Sequence, residues 1–278
     1  MPPSSAPWRT PFLTHLSHLT GPPIFTLATL HPLLAQATTV YTTETASSPS
    51  LQALPRARTC VYRGLWATLP PNPHDPSAPR NPPIYESDCP VFTTDARMEK
   101  VQGLFFTGAN TDPNIREAER EGGLRGSGGG GPVEAVFWIE PARTQWRIRG
   151  TAWILAAGDI DDGESVGARK VREMLLSRMR RISGDDNNKE EWSFSREINA
   201  HFTNLSTIMR GSFKNPPPGV PVEGNPPGPG EGLGQRVEGG LEEDEMARRN
   251  FRVVVIVPEE VDRVDLGDPE RARRWLYI

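Results

Sequence analysis

Three blocks of this 278-residue chain are so dense in proline and glycine that any fold must be built around them: 70–83, 111–131 and 214–235. The 29 prolines and 26 glycines make up about a fifth of the chain, against a usual combined share of about 12%. Proline removes backbone donors, and glycine-rich runs stay extended and solvated. The blocks are therefore expected to be low-complexity inserts. The core has to come from the segments between them, in a chain where hydrophobic residues supply 36%.

Those segments carry readable periodicities. Residues 10–20, "TPFLTHLSHLT", open with Thr10 and Pro11 and place Phe12, Leu13, Leu16 and Leu19 on one stripe, predicting a short amphipathic helix. Strands are expected at 24–30, 38–43, 57–66 and at the end of 84–94, followed by a helix over 95–106 capped by Asp95. "VEAVFWIE" (133–140) and "TQWRIRGTAWIL" (144–155) read as two strands joined tightly at Pro141 and Ala142. Helical spacing marks 167–182 and 195–209, and "FRVVVIVPEEVDRVDL" (251–266) is a near-continuous apolar strand of the buried kind. Six or seven strands with few helices between them predict a mainly β (α+β) fold, an antiparallel barrel with peripheral helices in a single domain over 1–278.

Several function classes find no support. A net charge of −4 does not suit gripping a nucleic-acid backbone. No run of 18 apolar residues is present and the N-terminus lacks a signal-peptide pattern, so neither a membrane span nor export is expected, and a cytoplasmic location is. Cys60 and Cys89, without a CxxC pattern, read as reduced thiols. The string "GSGGGG" (126–131) fits GxGxxG literally, but it follows a charged segment and precedes Pro132 and a strand, which is the wrong context for a dinucleotide loop. His15 and His18 lack further ligands at metal spacing, and no GxSxG elbow is present. No metal site and no catalytic acid, base or nucleophile is nominated.

The cations are more informative. Arg58 and Arg63 flank one expected strand, and Arg97 and Lys100 fall near a helix start, where free N–H groups already favour an anion. A phosphate would answer that excess of positive charge. From charge spacing alone, pairing with Asp95, Glu99 or solvent is the commoner answer.

"PRARTCVYRG", "VFTTDARMEK", "RTQWRIRG" and "VDRVDLGDPERARRWLY" occur in the order and local spacing of the pyridoxamine 5′-phosphate oxidase family of FMN-binding split barrels, which the chain resembles from about Trp8 to its C-terminus. The resemblance implies a split β-barrel that binds FMN. It implies cofactor contacts from Arg58, Arg63, Thr94, Arg97, Lys100, Gln145 and Arg274, the last of these lent by a second subunit of a homodimer with FMN at its interface. Ser206 and Arg210 sit where the family has substrate-side residues, although a polar helix face would explain their spacing equally well.

The sequence also departs from the family. Val264 replaces a tryptophan, Met98 a small hydroxyl residue, and Glu270 and Ala272 stand where substrate-phosphate contacts are expected. A glutamate there would repel a phosphorylated substrate. The expected function is therefore an FMN-dependent oxidoreductase acting on some other small molecule, with true pyridoxamine phosphate oxidation not expected. The alternative is a non-catalytic flavin-binding or degenerate scaffold protein.

Overall fold

A computed structural model of the chain describes residues 4–32, 53–72, 75–107, 126–161, 165–182, 191–221, 223, 228, 230 and 232–278. The expected strand at 38–43 lies outside the described residues. After the helix α1 (Arg9–Leu16), β1 (Ile24–Pro32) pairs along its whole length with β2 (Ala53–Val61). The strands β4 (Val91–Asp95), β5 (Gly128–Ile139), β6 (Thr144–Ala156), β8 (Phe251–Asp265) and β9 (Arg273–Tyr277) complete a seven-stranded antiparallel sheet. Its order is β2-β1-β5-β6-β8-β4, with β9 also on β8. A small separate pair joins β3 (Tyr85–Glu86) to β7 (Arg180–Arg181).

The two edges of the large sheet meet. Just past β2 the Arg63 amide donates to the Val91 carbonyl at 2.8 Å, and the Val91 amide donates back to the Gly64 carbonyl at 2.9 Å. These bonds roll the sheet into the expected barrel. Inside it, Phe25, Leu27, Phe92, Phe137, Trp146, Ile148, Val254 and Ile256 form one apolar cluster. The α1 helix plugs this interior with Phe12, whose ring meets those of Phe137 and Trp146 edge-on at 5.1 and 5.4 Å.

A second cluster lies on the outer face of the same strands, where alternate residues of β8 point the other way. Val253, Val255 and Val257 pack there with Trp153 and Leu155 of β6, beneath α3 (Val166–Arg178) and α4 (Phe194–Thr203). Burial on both faces is why β8 reads as an unbroken apolar run.

Several expectations need correction. The helix expected over 167–182 ends at Arg178, and Arg180–Arg181 form β7 instead. The strand expected over 57–66 starts and ends earlier, as β2, because the chain turns off at Tyr62 to make the barrel closure. The helix expected from Asp95 begins later, as α2 (Glu99–Phe106). Asp95 instead ends β4, and its carboxylate accepts from the Arg97 amide at 2.8 Å. The helix expected over 195–209 is two helices, α4 and α5 (Thr207–Gly211), with Ser206 capping the second.

Most consequentially, the parts of the proline- and glycine-rich blocks that lie among the described residues pack against the fold. Glycines 128–131 belong to β5 and are buried, with a register shift between Gly129 and Gly131. A Cβ at Gly131 would lie 2.8 Å from the Leu104 carbonyl, so only glycine lets α2 pack this close to β5. The 70–83 block is tied to α4 through Asn72, which donates to the Thr203 carbonyl at 2.8 Å, and Asn81, which donates to the Ser193 carbonyl at 2.9 Å. A final helix, α6 (Glu245–Asn250), precedes β8 and anchors the start of the 214–235 block: Lys214 pairs with its N-cap Asp244 at 2.7 Å.

Candidate functional site

The end of β2, the end of β4, the start of α2 and the residues just after α5 surround a cavity of about 1160 Å³. Its cationic side is formed by Arg63, Lys100 and Thr94. Arg63 reaches it because β2 has already ended.

Lys100 and Arg63 have no carboxylate partner among the described residues. The Lys100 ammonium donates to the Thr94 hydroxyl at 2.9 Å, and burial pushes its pKa below the ordinary lysine value, with Arg58 adding to the effect. The Arg63 Nε is buried without a hydrogen-bond partner, and burial lowers the pKa of this guanidinium too. Charges held in such a place favour an anion that offers several acceptor oxygens. The N-terminus of α2 adds to this: its N-cap, Met98, supplies no side-chain cap and lines the same cavity.

Arg97 also lines the cavity, but its charge is spent. It forms a two-point pair with Asp95, Nε to Oδ1 at 2.9 Å and Nη2 to Oδ2 at 2.7 Å. Its Nη1 donates to the Asn215 carbonyl at 2.9 Å. Arg58 does not line the cavity. It donates to the Thr29 hydroxyl at 2.6 Å and to the Arg56 carbonyl at 3.2 Å, behind the cationic side.

Gln145 and Arg274 lie elsewhere, in one cross-strand row on the outer face of the barrel, Trp138–Gln145–Val264–Arg274. Arg274 there grips Asp262 at 2.9 and 3.0 Å, and Arg147 binds the same carboxylate. Burial raises the Asp262 pKa, and the hydrogen bonds from Arg274 and Arg147 outweigh it and hold it below the usual carboxylate range. Ser206 and Arg210 do not line the cavity either. Ser206 caps α5, and the buried Arg210 donates to the carbonyls of Leu205, Glu238 and Gly239. Glu270 sits exposed between β8 and β9.

Sequence reasoning missed the far side of the cavity. It is apolar, made by Met98, Met209, Val220, Leu233 and prolines 216–218, the last of these from a block that composition marks as solvated. Cys60 also lines the cavity, and burial pushes its thiol pKa up. Among the described residues no group of histidine, cysteine, aspartate and glutamate side chains could hold a metal ion.

An antiparallel barrel with a cationic pocket at the foot of a helix, whose lining carboxylate Asp95 is engaged by Arg97, defines a binder of a phosphate-bearing cofactor. The pyridoxamine 5′-phosphate oxidase FMN-binding domain matches residues 5–156, so the chain belongs to that family, and its cofactor is FMN. The match takes in Arg58, Arg63, Thr94, Arg97, Lys100 and Gln145, and stops before Ser206, Arg210 and Arg274. The structure is similar to that of a pyridoxamine 5′-phosphate oxidase-related, FMN-binding protein from Nostoc punctiforme. That similarity has a TM-score of 0.51 and 19% identity, and covers 99% of this chain and 92% of the other. No curated protein matches the chain.

Proposed function

We propose that the chain is an FMN-dependent oxidoreductase whose substrate is not pyridoxamine phosphate, and that it works as a homodimer. The observation that carries this reading is that Arg63 and Lys100, two half-buried cations, face one cavity without an ion-pair partner among the described residues, the lining Asp95 being bound by Arg97. The FMN phosphate would sit between them, on the Thr94 hydroxyl and the amides opening α2. FMN supplies the redox chemistry, and the chain's residues bind and orient it.

The placement of Gln145 and Arg274 supports the dimer. Neither lines the cavity of its own chain, yet both belong to an outer face that also exposes Trp138 and Leu276. A second copy docked there would bring that row to its partner's flavin.

In a flavin-fluorescence titration of the full chain, Arg63→Ala and Lys100→Ala should each weaken FMN binding by about 1–3 kcal/mol, the worth of a charged hydrogen bond. Unchanged affinity in both would sink the phosphate site. The second reading, a flavin holder without turnover, is favoured by the engagement of the cavity's carboxylate, Asp95, by Arg97. It predicts a yellow protein whose reduced flavin shows no acceleration by any added acceptor over free FMN.

A further inference from the structure

We propose that the apolar side of the cavity is a second binding site, for a flat, uncharged, largely apolar molecule held beside the cofactor. The inference rests on the FMN reading only for what fills the cationic side. Four large apolar side chains that elsewhere would be scattered over the surface converge here: Met98 is 38% exposed, Met209 46%, Val220 41% and Leu233 81%. Exposed apolar side chains gathered in one concavity mark a ligand site rather than ordinary surface.

The chemistry of this wall selects its occupant. The prolines at 216–218 have no N–H to donate, and thioether and aliphatic groups complete the surface. A phosphorylated or carboxylated molecule would find no cation there, since Arg97 is neutralised by Asp95 and the free cations stand on the other side. The cavity, at about 1160 Å³, lies at the upper end of the roughly 300–1,000 Å³ usual for ligand clefts, so it is not small for a cofactor and a neighbour.

The wall is preformed. Lys214 is fixed to Asp244 at 2.7 Å, the Asn215 carbonyl accepts from Arg97, and the Phe213 carbonyl accepts from Asn250 at 2.8 Å. The Gly232 amide donates to the Lys214 carbonyl at 3.1 Å, which brings the far end of the block back beside its start. Arg97 is thus a positioning residue that holds the proline wall over the cavity.

Equilibrium dialysis of the FMN-loaded full chain against menadione, an uncharged flat quinone, and separately against pyridoxal 5′-phosphate tests the assignment. Menadione should be retained and the phosphorylated ring should not. Leu233→Asp and Val220→Asp should each weaken menadione retention roughly tenfold, as expected when apolar contact gives way to a charge, with FMN affinity by fluorescence unchanged. Met209→Glu, on a different element, gives the same reading if the wall variants fail to fold. No menadione retention, or equal retention of pyridoxal 5′-phosphate, overturns the proposal. Loss of FMN affinity in step with menadione also overturns it, because the wall would then belong to the flavin's own ring. If the chain holds menadione but never FMN, the second site stands and the flavin reading falls.

Discussion

Lys100 makes FMN binding pH-sensitive in an unusual range. Burial lowers its pKa in the free protein, whereas a bound phosphate stabilises the ammonium and raises it. Between those two values binding takes up a proton, so affinity should fall as pH rises through the depressed pKa, below where an exposed lysine titrates. Fluorescence titrations between about pH 7 and 10 should show that decline, and Lys100→Arg should flatten it because a guanidinium stays charged.

His201, stacked on Trp66 at 6.2 Å, is a second titrating group. Burial, helped by the Arg63 charge, pushes its pKa down to about 3 from 6.5. Its neutral form contributes stability that is complete above about 6.5 and is lost as pH falls toward 3, at up to about 1.4 kcal/mol per pH unit. The neighbouring Glu197 has its pKa raised by burial and opposes that slope, so the wild-type curve alone does not isolate His201. Urea unfolding at pH 6.5 and 5 should show wild type losing about 1.6 kcal/mol more than His201→Phe. Equal losses would mean that the imidazole is charged in the fold.

At the scale of elements, the contact between α2 and β5 is the most exacting. A side chain at Gly131 would meet the Leu104 carbonyl at 2.8 Å and the Thr107 hydroxyl at 2.5 Å. Gly131→Ala should therefore cost about 1–3 kcal/mol in urea unfolding, as overpacking does. A cost near zero would show that α2 can shift. This contact also marks the limit of what the sequence reveals. Strands such as β5, β6 and β8 are legible because burial on one or both faces writes itself into alternation or into an apolar run. Glycines 128–131 are not, because a missing side chain reads identically whether it frees a linker or admits a helix. The proline wall is hidden for a related reason. Its residues are fixed by bonds from distant partners, Arg97, Asp244 and Asn250, to its side chains and carbonyls. At the site itself the cations are legible but their pairing is not: Asp95 and Glu99 stand within reach of both Arg97 and Lys100 in the sequence, and the fold gives Asp95 to Arg97.

For the whole molecule, the proposed dimer makes cofactor retention depend on association. Leu276 is half exposed on the outer face beside the Gln145 and Arg274 row, so Leu276→Asp should leave the monomer folded while separating the subunits. Sedimentation and flavin content measured together should then fall in parallel, and a monomer that keeps full flavin would break the link between interface and site. The chain's only two sulfhydryls, Cys60 and Cys89, are both buried, and desolvation keeps each protonated well past neutrality. Maleimide therefore finds no ready thiolate on the native protein, and a cysteine substituted at Val220 would take a single reporter group at the cavity rim.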